Sequence, residues 1–276
     1  MENKYSPDRD RYPRLTTEEL RDGYLVPNLF QAGAARLVYT DLDRAVIGGI
    51  VPTTQRLALG TSKHLAAAYF AERREIGVIN IGGNGTITVD GKEFALAKRD
   101  CLYIGRGSKQ IEFGSANAQE HAWFYLVSYP AHAVHPTRLA TATEAQAVEL
   151  GTQLDANQRT IRKYIHAGGM LSCQLVMGFT ELKAGSVWNT MPPHTHGRRT
   201  EIYLYFDVAP DAAVLHFMGA PEQTRSLVVR NGEAVLSPPW SIHCGAGTRN
   251  YSFIWAMGGE NQEFSDMDQI AIKDLK

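Results

Sequence analysis

The sequence predicts an all-β protein made of two tandem barrels. Three observations support this. Short segments of alternating or β-branched residues recur along the 276 positions, turn-forming dipeptides separate them, and the second half repeats the grammar of the first.

Taken in order, residues 1–40 form an N-terminal arm in which "TTEELRDGYLV" offers a short helix, with Thr17 as its cap and Glu19 in the first turn. Residues 41–135 form the first barrel, from "RAVIGGIVP", "EIGVINIGGNGTITVDG", "DCLYIGRG" and "AWFYLVSYP". Residues 136–166 contain "TATEAQAVELGTQL" and "NQRTIRKYI", the most helix-tolerant and charged part of the chain, and read as the connection. Residues 167–276 form the second barrel, from "CQLVMGFTEL", "EIYLYFDV", "AVLHFMG", "RSLVVRNGEAVLSPP" and "YSFIWAMGG". Asn84-Gly85, Asp90-Gly91 and Asn231-Gly232 supply the positive φ that tight hairpin turns require.

The repeat is visible when the halves are superposed. "AERREIGVINI" (71–81) lies over "HGRRTEIYLYF" (196–206), with Arg73 and Arg74 against Arg198 and Arg199, and Glu75 against Glu201. "RDCLYIGRGSKQ" (99–110) runs with "GEAVLSPPWSIH" (232–243), each a strand ending in a Gly or Pro corner.

Composition narrows the function classes. Twenty-eight basic and 29 acidic residues are mixed along the chain for a net charge of −1, so no basic stripe offers a nucleic-acid footprint. No apolar run approaches the roughly 18 residues of a spanning helix, and the polar start lacks a secretory leader. A soluble, cytoplasmic protein acting on a small molecule is expected, without nucleic-acid or membrane partners. Cys101, Cys173 and Cys244, odd in number and widely spaced, fit reduced thiols, and Cys244 reads as a small strand residue rather than a nucleophile.

The chemistry concentrates in "MPPHTHGRRTEIYLYF" (191–206). His194 and His196, two apart on a strand, project to one face about 7 Å apart along it. Glu201 opens the next strand after the turn "GRRT", and His243 follows the Pro-Pro corner of "SPPWSIH". Three imidazoles and a carboxylate suit a divalent first-row metal. A His-X-His alone in a β-rich protein is more often a surface or hydrogen-bonded pair, so the companion segment decides.

His-X-His, a Glu after a turn, and a downstream Gly232, Pro238 and His243 together resemble the two motifs of the cupin superfamily. The resemblance implies a bicupin, two double-stranded β-helix (jelly-roll) barrels with short helices. Trp240 and Gly247 depart from the second motif without touching a ligand. In the first repeat Ala68, Phe70 and Gln110 stand at the ligand positions, with Glu75 alone retained. That half is expected to be a structural partner without metal, its Glu75 paired with Arg73 or Arg74.

A narrower resemblance follows. "YFAERREIGVINIGGNGTITVDG", "NTMPPHTHGRRTEIYLYF", "SPPWSIHCGAGT", "FIWAMGGENQ" and "DMDQIAIKDLK" are similar to the 4-deoxy-L-threo-5-hexosulose-uronate ketol-isomerases, from about residue 20 to the C-terminus. The resemblance implies an enzyme of pectin and uronate breakdown, a homohexamer, with Zn2+ held by His194, His196, Glu201 and His243. The histidine and carboxylate ligands would also accept Mn, Fe, Co or Ni. The implied reaction converts 5-dehydro-4-deoxy-D-glucuronate to 3-deoxy-D-glycero-2,5-hexodiulosonate, moving a carbonyl from C1 to C2 through an enediolate without net redox change. A redox-inert Lewis acid and a general base suit it.

The candidate proton-transfer groups are Glu201, should it leave the metal on substrate binding, and Tyr203, which reads more readily as a core aromatic. Arg199 is a candidate for binding the substrate carboxylate, and Glu260 of "GGENQ" either reaches the site mouth or caps a turn. Alternative readings are a 5-deoxyglucuronate isomerase of inositol catabolism, a cupin metal-dependent dioxygenase, and a non-enzymatic sugar-binding or storage cupin.

Overall fold

A computed structural model describes residues 1–276. Strands dominate, and the chain divides into two compact units. One comprises Met1–Lys4, Leu29–Ala145 and Tyr164–Val176; the other comprises Tyr5–Asn28, Gln146–Lys163 and Met177–Lys276.

Each unit holds a seven-stranded and a four-stranded sheet. In the first unit the larger sheet runs in the order Glu2–Lys4, Ala35–Thr40, Val46–Ile50, Phe124–Pro130, Arg74–Asn80, Cys101–Ile104, Arg138–Ala140. In the second it runs Gln146–Leu150, Arg159–Ile165, Val176–Leu182, Ser252–Gly259, Arg199–Phe206, Ala234–Ser237, Leu25–Val26. Arg74–Asn80 and Arg199–Phe206 hold the same place in their sheets, which is the structural form of the repeat read from "ERREIGVINI" and "GRRTEIYLYF". The four-stranded sheets match likewise: Leu57–Ala58, Ile111–Ser115, Gly85–Val89, Lys92–Leu96 in one, and Trp188–Asn189, Ile242–Gly247, Val214–Gly219, Arg225–Val229 in the other.

Burial follows the period of two where one face meets water. In Gly85–Val89 the side chains of Ile87 and Val89 are buried while Thr86 and Thr88 are partly exposed. Arg74–Asn80 and Arg199–Phe206 are buried at every position, as strands covered on both faces must be. In the first unit Phe70, Ile76, Val78, Phe113, Phe124 and Leu126 belong to one buried apolar cluster. Each such side chain contributes about 1.5–3 kcal/mol on removal from water.

The structure differs from the sequence expectations at four points. The helix Thr17–Tyr24 is capped by Thr16, not Thr17: the Thr16 hydroxyl accepts from the Glu19 N–H (3.2 Å) and the Glu19 carboxylate accepts from the Thr16 N–H (2.8 Å). This reciprocal box needs a spacing of three residues, which Thr16 and Glu19 have.

Residues 136–166 are not helical. They form the strands Arg138–Ala140, Gln146–Leu150 and Arg159–Ile165 and contribute to both units. Gln146–Leu150 is an edge strand, four of whose five residues are exposed, so its polarity reflects a solvated edge and not a helix face.

Asp90 (φ 48°) and Gly91 (φ 84°) form the expected hairpin turn, and Gly232 is also left-handed (φ 77°). Asn84-Gly85 is different. Gly85 begins a strand, and a Cβ there would lie 2.6 Å from Ala122 and from Phe124, so close approach demands the glycine.

Glu75 pairs with neither Arg73 nor Arg74. Its carboxylate accepts from the Tyr103 hydroxyl (2.9 Å) and from the backbone N–H groups of Cys173 (2.6 Å), Gln174 (2.8 Å) and Leu175 (2.9 Å). Arg74 instead donates to Ser128 and to the Arg44 carbonyl. A fully buried carboxylate gains more from four converging donors than from one cation.

Candidate metal centre

The second unit gathers the predicted ligands through local chain geometry. His194 lies in the two-residue strand His194–Thr195, which pairs antiparallel with Asp268–Gln269, His194 opposite Gln269. Beyond it the Arg199 N–H donates to the His196 carbonyl (3.1 Å), closing a turn, and Arg199–Phe206 then carries Glu201 back beside the histidines. His243 comes from Ile242–Gly247 in the other sheet.

The ligand atoms of His194, His196, Glu201 and His243 all lie within 4.8 Å of one another. His196 Nε2 is 2.9 Å and His243 Nε2 2.8 Å from Glu201 Oε2, and His243 Nε2 is 3.0 Å from His194 Nε2. All four residues are at most 9 % exposed.

The hydrogen bonds on the far side of the rings test whether these residues fit a cation. His196 Nδ1 is 3.2 Å from the Arg199 carbonyl oxygen, and His243 Nδ1 is 3.3 Å from that of Ser241. A carbonyl only accepts, so each Nδ1 carries the proton and each Nε2 presents a lone pair inward. Lone pairs from His196 and His243 therefore face an ionised carboxylate oxygen at under 3 Å, an arrangement that a bound cation relieves. Orientation of ligating histidines by backbone carbonyls is the usual outer support of a metal site. The donor set fits a first-row divalent ion.

Electrostatics agree. Burial lowers the His194 pKa to about 3, with the neighbouring His243 acting in the same sense, so the ring is neutral and ligand-competent at pH 7. Burial pushes the Cys244 thiol up to about 12, leaving it protonated and unreactive beside His243.

His194, His196 and Glu201 of the quartet line a cavity of about 240 Å³ whose wall also includes Tyr203, Phe253 and Trp255. Tyr203 shares the face of Glu201, two residues on. Its hydroxyl is 3.0 Å from Thr190 Oγ1, and its ring centroid is 5.6 Å from that of His243. Burial, then the charge of Glu201, raises its pKa well above the usual value, so the phenol is a proton donor.

The other predicted residues lie elsewhere. Arg199 is fully buried, is not part of the cavity wall, and donates through Nη2 to the Asp266 carbonyl (3.1 Å). Arg198 is bound at the surface by Asp266 and Asp268. Glu260 is exposed and outside the wall, its backbone N–H donating to the Arg198 carbonyl (2.9 Å). Arg159, Thr190 and Gln269 line the cavity, and none of them stands out in the sequence. The alternation of Arg159, Ile161 and Lys163 is legible as one strand face, but the charge of the segment masks it.

Two barrels of this topology, with three histidines and a carboxylate converging in the second, define a two-domain cupin. Solved structures agree on the fold: an IolB-like protein from Salmonella typhimurium LT2 matches with a TM-score of 0.74 over 90 % of this chain and 96 % of its own, at 14 % identity. A single-residue mutant of Bacillus subtilis oxalate decarboxylase matches at 0.56 over 79 % and 70 %, at 10 % identity. The chain belongs to the KduI/IolB family, whose model matches residues 24–274. Curated relatives named 4-deoxy-L-threo-5-hexosulose-uronate ketol-isomerase are 52 % identical in Shouchella clausii over 276 residues and 53 % identical in Opitutus terrae over 278, covering the whole of each chain.

Proposed function

We propose that the protein is a zinc-dependent ketol-isomerase that converts 5-dehydro-4-deoxy-D-glucuronate to 3-deoxy-D-glycero-2,5-hexodiulosonate in pectin and uronate breakdown. The observation that carries this is the convergence of His194, His196, Glu201 and His243, the first three of them on the wall of a cavity, in a chain half identical over its full length to relatives of that name. Cytoplasmic location and assembly as a homohexamer belong to the same proposal, and the hexamer rests on the family resemblance. No helix is long and apolar enough to cross a membrane.

His194, His196, Glu201 and His243 would hold the ion, which when bound supplies Lewis-acid stabilisation of negative charge on substrate oxygens without redox chemistry. The chain itself must move one proton from C2 to C1. Tyr203, protonated and on the cavity wall beside Glu201, is placed to donate to a substrate oxygen as charge develops there. Glu201, two residues away on that strand face, is the candidate base on condition that it leaves the ion when substrate binds. The apolar walls from Phe253 and Trp255 limit water around the reacting carbons. The first barrel, filled with apolar side chains, serves as a structural partner.

The test is an isomerisation assay on freshly prepared substrate followed by NMR, with protein as purified, stripped by chelator and reconstituted with zinc. Conversion lost on stripping and restored by zinc is expected. A fully metallated protein that converts nothing sinks the isomerase reading.

A further inference from the structure

We propose that Arg159 is the anchor for the substrate's C6 carboxylate, the residue that selects a sugar acid over a neutral sugar. This rests on the isomerase reading for its substrate and deepens it.

The reacting carbons, C1 and C2, lie at the opposite end of the six-carbon substrate from its carboxylate. A cavity that presents His194, His196 and Glu201 of the metal quartet on one part of its wall therefore needs a fixed cation on another. Arg159 is the one arginine or lysine in the wall. It lies in Arg159–Ile165 opposite Leu150 of the edge strand, and alternation places Ile161, also in the wall, on the same face.

Its hydrogen bonding leaves it available. Nη1 donates to the Asn157 carbonyl (2.8 Å), which holds the guanidinium in place, and no carboxylate pairs with it. The side chain is half-buried, so its remaining N–H donors lack both a protein partner and full hydration. An incoming carboxylate satisfies them in the two-pronged geometry that arginine favours.

The neighbouring cations are otherwise engaged. The Lys163 ammonium sits 3.8 Å from the Phe264 ring centroid, Arg198 is bound by two aspartates, and Arg199 is buried behind the wall. The assignment of carboxylate recognition thus passes from Arg199, expected from the sequence, to Arg159.

The experiment measures binding of D-glucuronate and D-glucuronamide, the same sugar with a neutral C6 amide, by calorimetry. Wild-type protein as purified is compared with Arg159→Met and Arg159→Lys. Turnover of the substrate is followed in parallel. A charge-assisted pair predicts that wild type prefers the acid by about 10- to 100-fold, that Arg159→Met removes the preference, and that Arg159→Lys keeps part of it. The ratio of two affinities on one preparation does not depend on the fraction of variant that folds. A wild type without preference, or Arg159→Met that weakens acid and amide equally or keeps the preference, overturns the anchor while the isomerase reading stands on turnover. A wild type that converts no substrate yet shows an acid preference carried by Arg159 removes the isomerase reading and leaves the anchor.

Discussion

His196 and Glu201, five residues apart in the chain, bring Nε2 and Oε2 to 2.9 Å, while Nδ1 of the same histidine faces the carbonyl of Arg199 between them. One turn thus supplies two ligands and the outer hydrogen bond that orients one of them. Losing an outer partner of this kind costs about 10- to 100-fold in metal affinity, so losing a ligand costs at least that. His196→Ala and Glu201→Gln are expected to lower metal content after dialysis to near zero, read by elemental mass spectrometry. Full metal occupancy in both variants would exclude the quartet as the binding site.

Tyr203 separates a chemical from a packing role. Its phenol is protonated and lines the cavity, yet its hydroxyl is not among the four converging ligand atoms. Tyr203→Phe keeps the ring and removes only the hydroxyl, with its contact to Thr190. We expect kcat to fall about 100-fold, the scale of one general acid, with unchanged metal content. An unchanged kcat would make Tyr203 a wall aromatic alone.

His216 sets an acid limit on stability. It is fully buried, with Nδ1 2.7 Å from the Tyr205 hydroxyl, and burial lowers its pKa from 6.5 to about 3, with His243 adding to the effect. The unfolded chain binds this proton more readily than the folded one. The stabilisation from a neutral His216 is therefore complete above about pH 6.5 and is lost as pH falls from there towards 3, at up to about 1.4 kcal/mol per pH unit. In urea titrations the stability gap between wild type and His216→Gln should narrow between about pH 6.5 and about pH 4.5. A gap independent of pH in that range contradicts the assignment.

Glu75 holds residues 173–175 within the first unit through three backbone N–H groups and the Tyr103 hydroxyl. Glu75→Leu strands these donors without water. A loss of roughly 3 kcal/mol or more is expected in denaturant unfolding, with metal content unaffected. A loss under about 1 kcal/mol would show that the donors find other acceptors.

Much of this site is legible in the order of residues alone. The convergence of His194, His196 and Glu201 depends on strand alternation and one short turn, both local consequences of "HTHGRRTE", whereas His243, in "SPPWSIH", is singled out by the resemblance of Gly232, Pro238 and His243 to the second cupin motif. The helix cap falls one residue earlier than the sequence suggests because Thr16 and Thr17 offer the same hydroxyl, and only the three-residue spacing to Glu19 distinguishes them. The strand Gln146–Leu150 escapes a sequence reading because a solvated sheet edge and a helix surface draw on the same polar residues.

By itself the sequence determined the β architecture, its duplication and the grouping of His194, His196 and Glu201, since each follows from periodicity or from residues close in the chain, while His243 joined them by resemblance to a known motif. Tertiary structure decided the rest. It paired Leu25–Val26 with Ala234–Ser237, set Asp268–Gln269 against His194–Thr195, and turned Glu75 to donors up to 100 residues away. It also placed Arg159 in the cavity wall. The physical reason is that a partner for a buried carboxylate or a strand edge is chosen by proximity in space, which local propensity does not encode.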